Sequence, residues 1–154
     1  MGKAAELAKK RLQEEKIYTE NLRDRLIKGI LGSAEEVYLH GHPTKRLPGN
    51  VAARIFGVEG ESVLMELDRR GIAASTGSAC ASKNLEPSHV LAAIGLNEIE
   101  RHGVIQLSLC RYSTKDDVDY LMSVLPEITK KLRDLSPVWK FRDRLDELYK
   151  HGEP

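Results

Sequence analysis

The chain has 154 residues, with 24 Lys and Arg against 23 Asp and Glu, 41% hydrophobic and 31% charged, the balance of a single globular domain. A net charge of +1 supplies no broad basic face for neutralising several phosphates, which argues against nucleic acid as a main partner. No apolar run approaches the roughly 20 residues that span a bilayer, the start MGKAAELAKKRLQEE lacks the apolar segment of a secretory signal, and the cysteines and histidines show no CxxC, HxxxH or HxxE spacing of a metal site. These readings predict a cytoplasmic protein with no membrane segment, no metal, and reduced thiols at Cys80 and Cys110.

Residues 3–31 hold no Pro and no Gly before Gly29, so they predict one long helix. In its second half Tyr18, Leu22, Leu26 and Ile30 recur every four residues as an apolar stripe, whereas in the first half Leu7 and Leu12 stand among charges. No Ser, Thr, Asp or Asn precedes the helix as an N-cap, so residues 1–31 read as the cut end of a helix joining two domains. Beyond the Gly32-Ser33 break, Val37–Leu39 reads as a short strand, Gly41–Asn50 as a turn-rich loop and Val51–Phe56 as a second strand. Glu61–Arg70 reads as a short helix ended by Gly71, and Ile72–Ser75 as a third strand. Thr76–Glu86 is a polar loop, after which Pro87 opens a helix carrying Val90, Leu91 and Ile94 up to Gly95. Val104–Cys110 alternates as a fourth strand, and Thr114 opens a helix through Leu132, with a kink expected at Pro126. Val138–Tyr149 reads as a final amphipathic helix. Together these elements predict an α+β or open α/β domain: a sheet of about four strands with helices packed on it.

Cys80 lies in STGSACAS, where no large apolar side chain occurs from Ser75 to Ser82. Such a segment cannot pack a core, so an exposed, reactive thiol is one reading and a buried small hydrophobe, the commonest fate of a free cysteine, is the other. Ser78 and Ser82 have no histidine at a telling spacing and read as loop polarity. Cys110 closes the alternating run IQLSLC and reads as a strand-end or core residue. His40, His42, His89 and His102 read as surface or structural groups, and Glu59, Glu61 and Glu66 as acids on or beside the helix that follows Gly57.

Six ordered stretches then carry a resemblance: RLPGNV (Arg46–Val51), VEGES (Val58–Ser62), GIAASTGSACAS (Gly71–Ser82), LEPSHVLAAIGL (Leu85–Leu96), LSLCRYSTKDDVDY (Leu107–Tyr120) and LRDLSPVW (Leu132–Trp139). They resemble the cysteine desulfurases of the class V aminotransferase family, in the group of NifS and IscS type with a long active-site loop of form SxGSACxS. The resemblance runs from about residue 20 to about residue 140. It implies the C-terminal small domain of a fold-type I pyridoxal-phosphate enzyme, with residues 32–137 as the domain core, loop 76–86 as the active-site loop, and 138–154 as a C-terminal helix and tail. It implies Cys80 as the nucleophile that takes sulfur from cysteine as a persulfide for iron–sulfur cluster assembly. The family's cofactor, pyridoxal phosphate, and its lysine belong to a larger N-terminal domain with no counterpart in this sequence, so the chain alone is expected to bind no cofactor and to be inactive. Where relatives carry an arginine for the substrate carboxylate, this chain carries Gln106, a neutral amide that cannot form the bidentate charged pair; Arg111 matches a different family arginine. The expected partners are the large domain in cis or trans, an iron–sulfur scaffold or other sulfur acceptor, and a second copy in the complete enzyme. The alternative is a stand-alone thiol or persulfide carrier that docks a scaffold without catalysis of its own.

Overall fold

A computed structural model describes residues 1–76 and 88–142, apart from the side chains of residues 98 and 99. In chain order the elements are α1 (Gly2–Leu31), β1 (Val37–Leu39), β2 (Asn50–Ile55), α2 (Gly60–Asp68), α3 (His89–Ala93), α4 (Glu98–His102), β3 (Val104–Ser108), α5 (Lys115–Leu135) and α6 (Pro137–Lys140). The helix-forming start yields α1, about 45 Å long at 1.5 Å per residue, whose Met1 N-cap makes no side-chain cap bond. Leu22, Leu26 and Ile30 are buried as the stripe predicts, together with Thr19 and Arg23, while residues 1–14 are all exposed. Tyr18, at the upper end of the stripe, stays partly exposed and donates its hydroxyl to the Ser113 carbonyl at 2.8 Å.

The three strands form one antiparallel sheet in the order β1-β2-β3, with Tyr38 opposite Arg54, Arg54 opposite Val104 and Ala52 opposite Gln106. Strand alternation sends Val51, Ala53, Ile55, Ile105 and Leu107 to one face, where they form a single core with Leu26 and Ile30 of α1, Val63 and Leu67 of α2, and Val118, Leu121, Leu125 and Ile128 of α5. Each fully buried Val, Leu or Ile among them contributes about 1.5–3 kcal/mol. Tyr38, Ala52, Arg54 and Gln106 alternate onto the opposite face.

The third strand expected at Ile72–Ser75 is reduced to one isolated bridge between Ser75 and Gln106, which leaves three strands in place of about four. The strand expected over Val104–Cys110 ends at Ser108. Helix α4 was not expected at all; it is opened by a capping box in which the Asn97 side chain accepts from the Glu100 N–H and the Glu100 carboxylate accepts from the Asn97 N–H. Thr114 and Asp117 cap α5 in the same way, and α5 continues through Pro126, which lies on its exposed side. Helix α2 ends at Asp68, before the turn in which Gly71 takes φ +75° and Ile72 N–H reaches the Leu67 carbonyl. Of the final helix expected from Val138, the four residues of α6 are described, and the part beyond Arg142 lies outside the described residues.

Two polar groups lock this arrangement. Arg133 of α5 is buried and donates to the Phe56 carbonyl at 3.1 Å and the Glu35 carbonyl at 2.7 Å, while its guanidinium stacks 3.6 Å over the Trp139 ring. Arg142 lies 4.4 Å from the same ring, and Phe56 packs at 6.4 Å between centroids. Trp139 reaches this slot because Gly57 carries no side chain: at φ +80° an added Cβ would lie 2.8 Å from Trp139 Cε3. Between α2 and α5, the buried Glu66 carboxylate meets Lys131 at 3.1 Å, Arg70 at 3.0 Å and Arg69 at 2.5 Å. Lys131 and then Arg70 hold its pKa down to about 2, against burial.

Candidate functional site

Gln106, the position singled out by sequence, sits at the middle of β3, half-buried, between Ala52 of β2 and the bridged Ser75. Ser75 and Gln106 exchange both backbone bonds, at 3.0 and 2.5 Å, which fixes the root of the expected active-site loop beside this side chain. The next residue, Thr76, is seated by Gly60 of the VEGES stretch: a Cβ there would lie 3.1 Å from Thr76 Cγ2 and 2.6 Å from the Val104 carbonyl. Cys80 and the rest of the loop expected at 76–86 lie outside the described residues.

On the same sheet face Arg54 is buried, stacks 4.4 Å over the Tyr38 ring and pairs with Glu100 of α4. Burial pushes the Glu100 carboxyl up, but the Asn97 N–H and Arg54 outweigh it and hold it below its ordinary range. Burial, and then the Arg54 charge, lowers the pKa of the nearby His40. Arg54 and Glu100, with Phe56, Val58, Leu132 and Val138, line a cavity of about 440 Å³. A second, of about 260 Å³, lies among Leu26, Ile72, Leu107 and Tyr120. Sequence reasoning missed the Arg54–Glu100 pair; its one trace is the Asn97-x-x-Glu100 capping pattern, which fixes the carboxylate but says nothing of the arginine 46 residues away.

Cys110 corrects an expectation. It is an exposed, free thiol in the turn after β3 and not a strand-end or core residue. The turn is closed by Ser113, whose N–H reaches the Cys110 carbonyl at 3.0 Å and whose hydroxyl accepts from the Cys110 N–H at 3.1 Å. The Tyr112 N–H, opposed by slight burial and aided by Ser113 and Arg111, lowers the thiol's pKa from its ordinary value. Arg111 itself bonds Glu15 of α1 at 3.0 Å and stacks 4.7 Å over Tyr112, so it ties the turn to the helix.

The residues described do not make a seat for pyridoxal phosphate. Every lysine among them is exposed and none lines either cavity, so no described amine faces an enclosed space in which to bond an aldehyde. Among the described residues no group of His, Cys, Asp and Glu is placed to hold a metal, and no helix is long and apolar enough to cross a membrane.

A helix-backed antiparallel sheet is the frame that comparison with known proteins also returns. Residues 1–121 match the class V aminotransferase family, and the chain belongs to it. Within that family it is similar to cysteine desulfurases: it is 52% identical over 139 residues to cysteine desulfurase IscS 1 of Archaeoglobus fulgidus, covering 90% of this chain and 36% of that protein. It is 49% identical over 142 residues to cysteine desulfurase IscS of Clostridium botulinum, covering 91% and 36%. The chain therefore spans about a third of the length of these relatives. Among solved structures it superposes on a NifS-like protein with a TM-score of 0.72 at 27% identity, over 84% of this chain and 32% of the other. A NifS-like protein from Rickettsia africae gives 0.72 at 25%, over 84% and 33%.

Proposed function

We propose that this chain is the C-terminal small domain of a cysteine desulfurase and that Cys80 is its sulfur-accepting nucleophile. The observation that supports this best is the similarity to desulfurases across 90% of the chain, with the stretch STGSACAS inside it. In this reading the Cys80 thiolate takes the sulfur of L-cysteine as a persulfide, leaving alanine, and passes it to an acceptor such as an iron–sulfur scaffold. In the expected loop 76–86 a thiol near the middle would have a reach of about 15 Å at about 3.4 Å per residue, enough to meet a donor site and then an acceptor. The bond-breaking chemistry belongs to the pyridoxal-phosphate site of the family's large domain, supplied in cis or in trans, and the complete enzyme is a homodimer. Gln106, beside the loop root, faces the substrate in place of the family's arginine. By itself the chain releases no sulfide from cysteine.

The test supplies a relative's large domain by fusion or mixing, adds L-cysteine, and maps the persulfide by mass spectrometry. Cys80→Ala should lose it and Cys110→Gly should keep it. A persulfide on Cys110 or on any other residue, or sulfide release by the chain alone, overturns the assignment.

A further inference from the structure

The larger cavity, of about 440 Å³, is walled by the apolar side chains of Phe56, Val58, Leu132 and Val138, and Gln106 is not part of its lining. Its size lies within the range of roughly 300–1,000 Å³ that holds small molecules. Arg54, Glu59 and Glu100 also line it. Gly103 lets the first two converge: a Cβ there would lie 3.3 Å from Arg54 Cγ and 3.1 Å from the carbonyl of Val58, the residue before Glu59.

These charged groups are unequally satisfied. Arg54 is only 9% exposed; its Nη1 is taken by Glu100 and its Nε is sealed from solvent without a partner. Nη2 makes no hydrogen bond among the described residues and is not sealed, so it is the donor that remains for the cavity. Glu100 spends one oxygen on Arg54 and the other on the Asn97 N–H. Glu59, the N-cap of α2, is exposed and makes no side-chain cap bond and no ion pair among the described residues. The lining thus holds one unfilled cationic donor and one unfilled carboxylate, with more negative charge than positive. A simple carboxylic acid would fill Arg54 Nη2 but add an anion beside Glu59 and Glu100. A simple amine would fill Glu59 and leave the Arg54 donor, largely cut off from water, without an acceptor. A zwitterion fills both and adds no net charge.

We propose that this cavity binds a free α-amino acid with an apolar side chain. Its carboxylate accepts from Arg54 Nη2, its ammonium donates to the Glu59 carboxylate, and its side chain lies against Phe56, Val58, Leu132 and Val138, where leaving water supplies the non-directional part of the affinity.

Isothermal titration calorimetry of the whole 154-residue chain with L-leucine and L-methionine tests the site, and saturable binding is expected. Isocaproate lacks the ammonium of leucine, isoamylamine lacks its carboxylate, and glycine lacks its apolar chain. Each should bind about tenfold or more weakly than leucine, the loss that one charged hydrogen bond or one buried aliphatic chain carries. Glu59→Gln, a change on an exposed side chain, should weaken leucine about tenfold without weakening isocaproate. Leu132→Trp should abolish binding by filling the cavity, with circular dichroism confirming the fold; if that variant does not fold, Glu59→Gln decides. No saturable binding of either amino acid, an analogue that binds as tightly as leucine, or undiminished affinity in Glu59→Gln or in folded Leu132→Trp overturns the site.

Discussion

Replacing Gly57 with alanine tests the slot that holds Trp139. Two costs add in the native background. A non-glycine residue at φ +80° pays about 1–2 kcal/mol for the left-handed conformation. The new Cβ, 2.8 Å from Trp139 Cε3 and 3.0 Å from its Cβ, forces the indole away at about 1–3 kcal/mol for overpacking. Gly57→Ala should therefore destabilise by about 2–5 kcal/mol in the native chain. Trp139→Ala alone should cost about 2–4 kcal/mol, since the ring is only part-buried but loses Phe56 and two stacked guanidinium groups. In the Trp139→Ala background the clash is gone and Gly57→Ala should cost only about 1–2 kcal/mol, the backbone part. Urea unfolding of the four proteins, followed by far-UV circular dichroism because Trp139 is the single tryptophan, gives each value. An equal cost of Gly57→Ala in both backgrounds would refute the steric argument.

Glu66, held down to about 2 in the fold, contributes stability that is fully present above the ordinary carboxyl value and lost as pH falls toward 2. Acid unfolding should show a slope between about pH 4.5 and 2 that Glu66→Gln flattens, and identical slopes would discount the Lys131–Arg70 cage. Cys110 should alkylate in the folded chain with a pH midpoint below that of an ordinary thiol, and Cys110→Ser should change stability by no more than about 0.5 kcal/mol; labelling only after denaturation would contradict its exposure. In the completed enzyme, Gln106→Arg should lower the apparent KM for cysteine by about tenfold or more, matching about 1.5–3 kcal/mol for a charged hydrogen bond. An unchanged KM would mean that the substrate carboxylate is held elsewhere.

Where burial follows a regular period, the sequence was readable. Leu22, Leu26 and Ile30 mark the inner side of α1, and Val118, Leu121, Leu125 and Ile128 that of α5. Val37–Leu39 coincides with β1. The failures share a cause: the deciding interaction was not periodic. Ile72–Ser75 is paired to the sheet only at Ser75, while the Ile72 N–H is taken by the Leu67 carbonyl at the end of α2. After β3, Leu109 N–H still reaches the Gly49 carbonyl at 2.8 Å, but Cys110 already belongs to the turn closed by Ser113, so the apolar alternation outlasts the strand. Helix α4 is five residues long and rests on the Asn97–Glu100 capping box, with no apolar repeat to announce it. At the candidate site, Cys80 and Gln106 were singled out by resemblance, and Cys80 lies outside the described residues, whereas Arg54–Glu100 arises from a pairing that no local pattern encodes.

Arg133 has a kinetic consequence. Its two carbonyl bonds close separations of 77 and 98 residues, and neither can form until the chain flanking β1, the end of β2 and the last turns of α5 have docked. Contacts that close such long loops are gained late, after most of the loop entropy has been paid. Removing them should leave the folding rate nearly untouched and accelerate unfolding instead. Arg133→Lys, which keeps a charge but cannot span both carbonyls from one planar group, is thus expected to move the unfolding limb of the chevron while the folding limb stays in place. The residue that joins the two ends of the fold sets how long the native state lasts once formed.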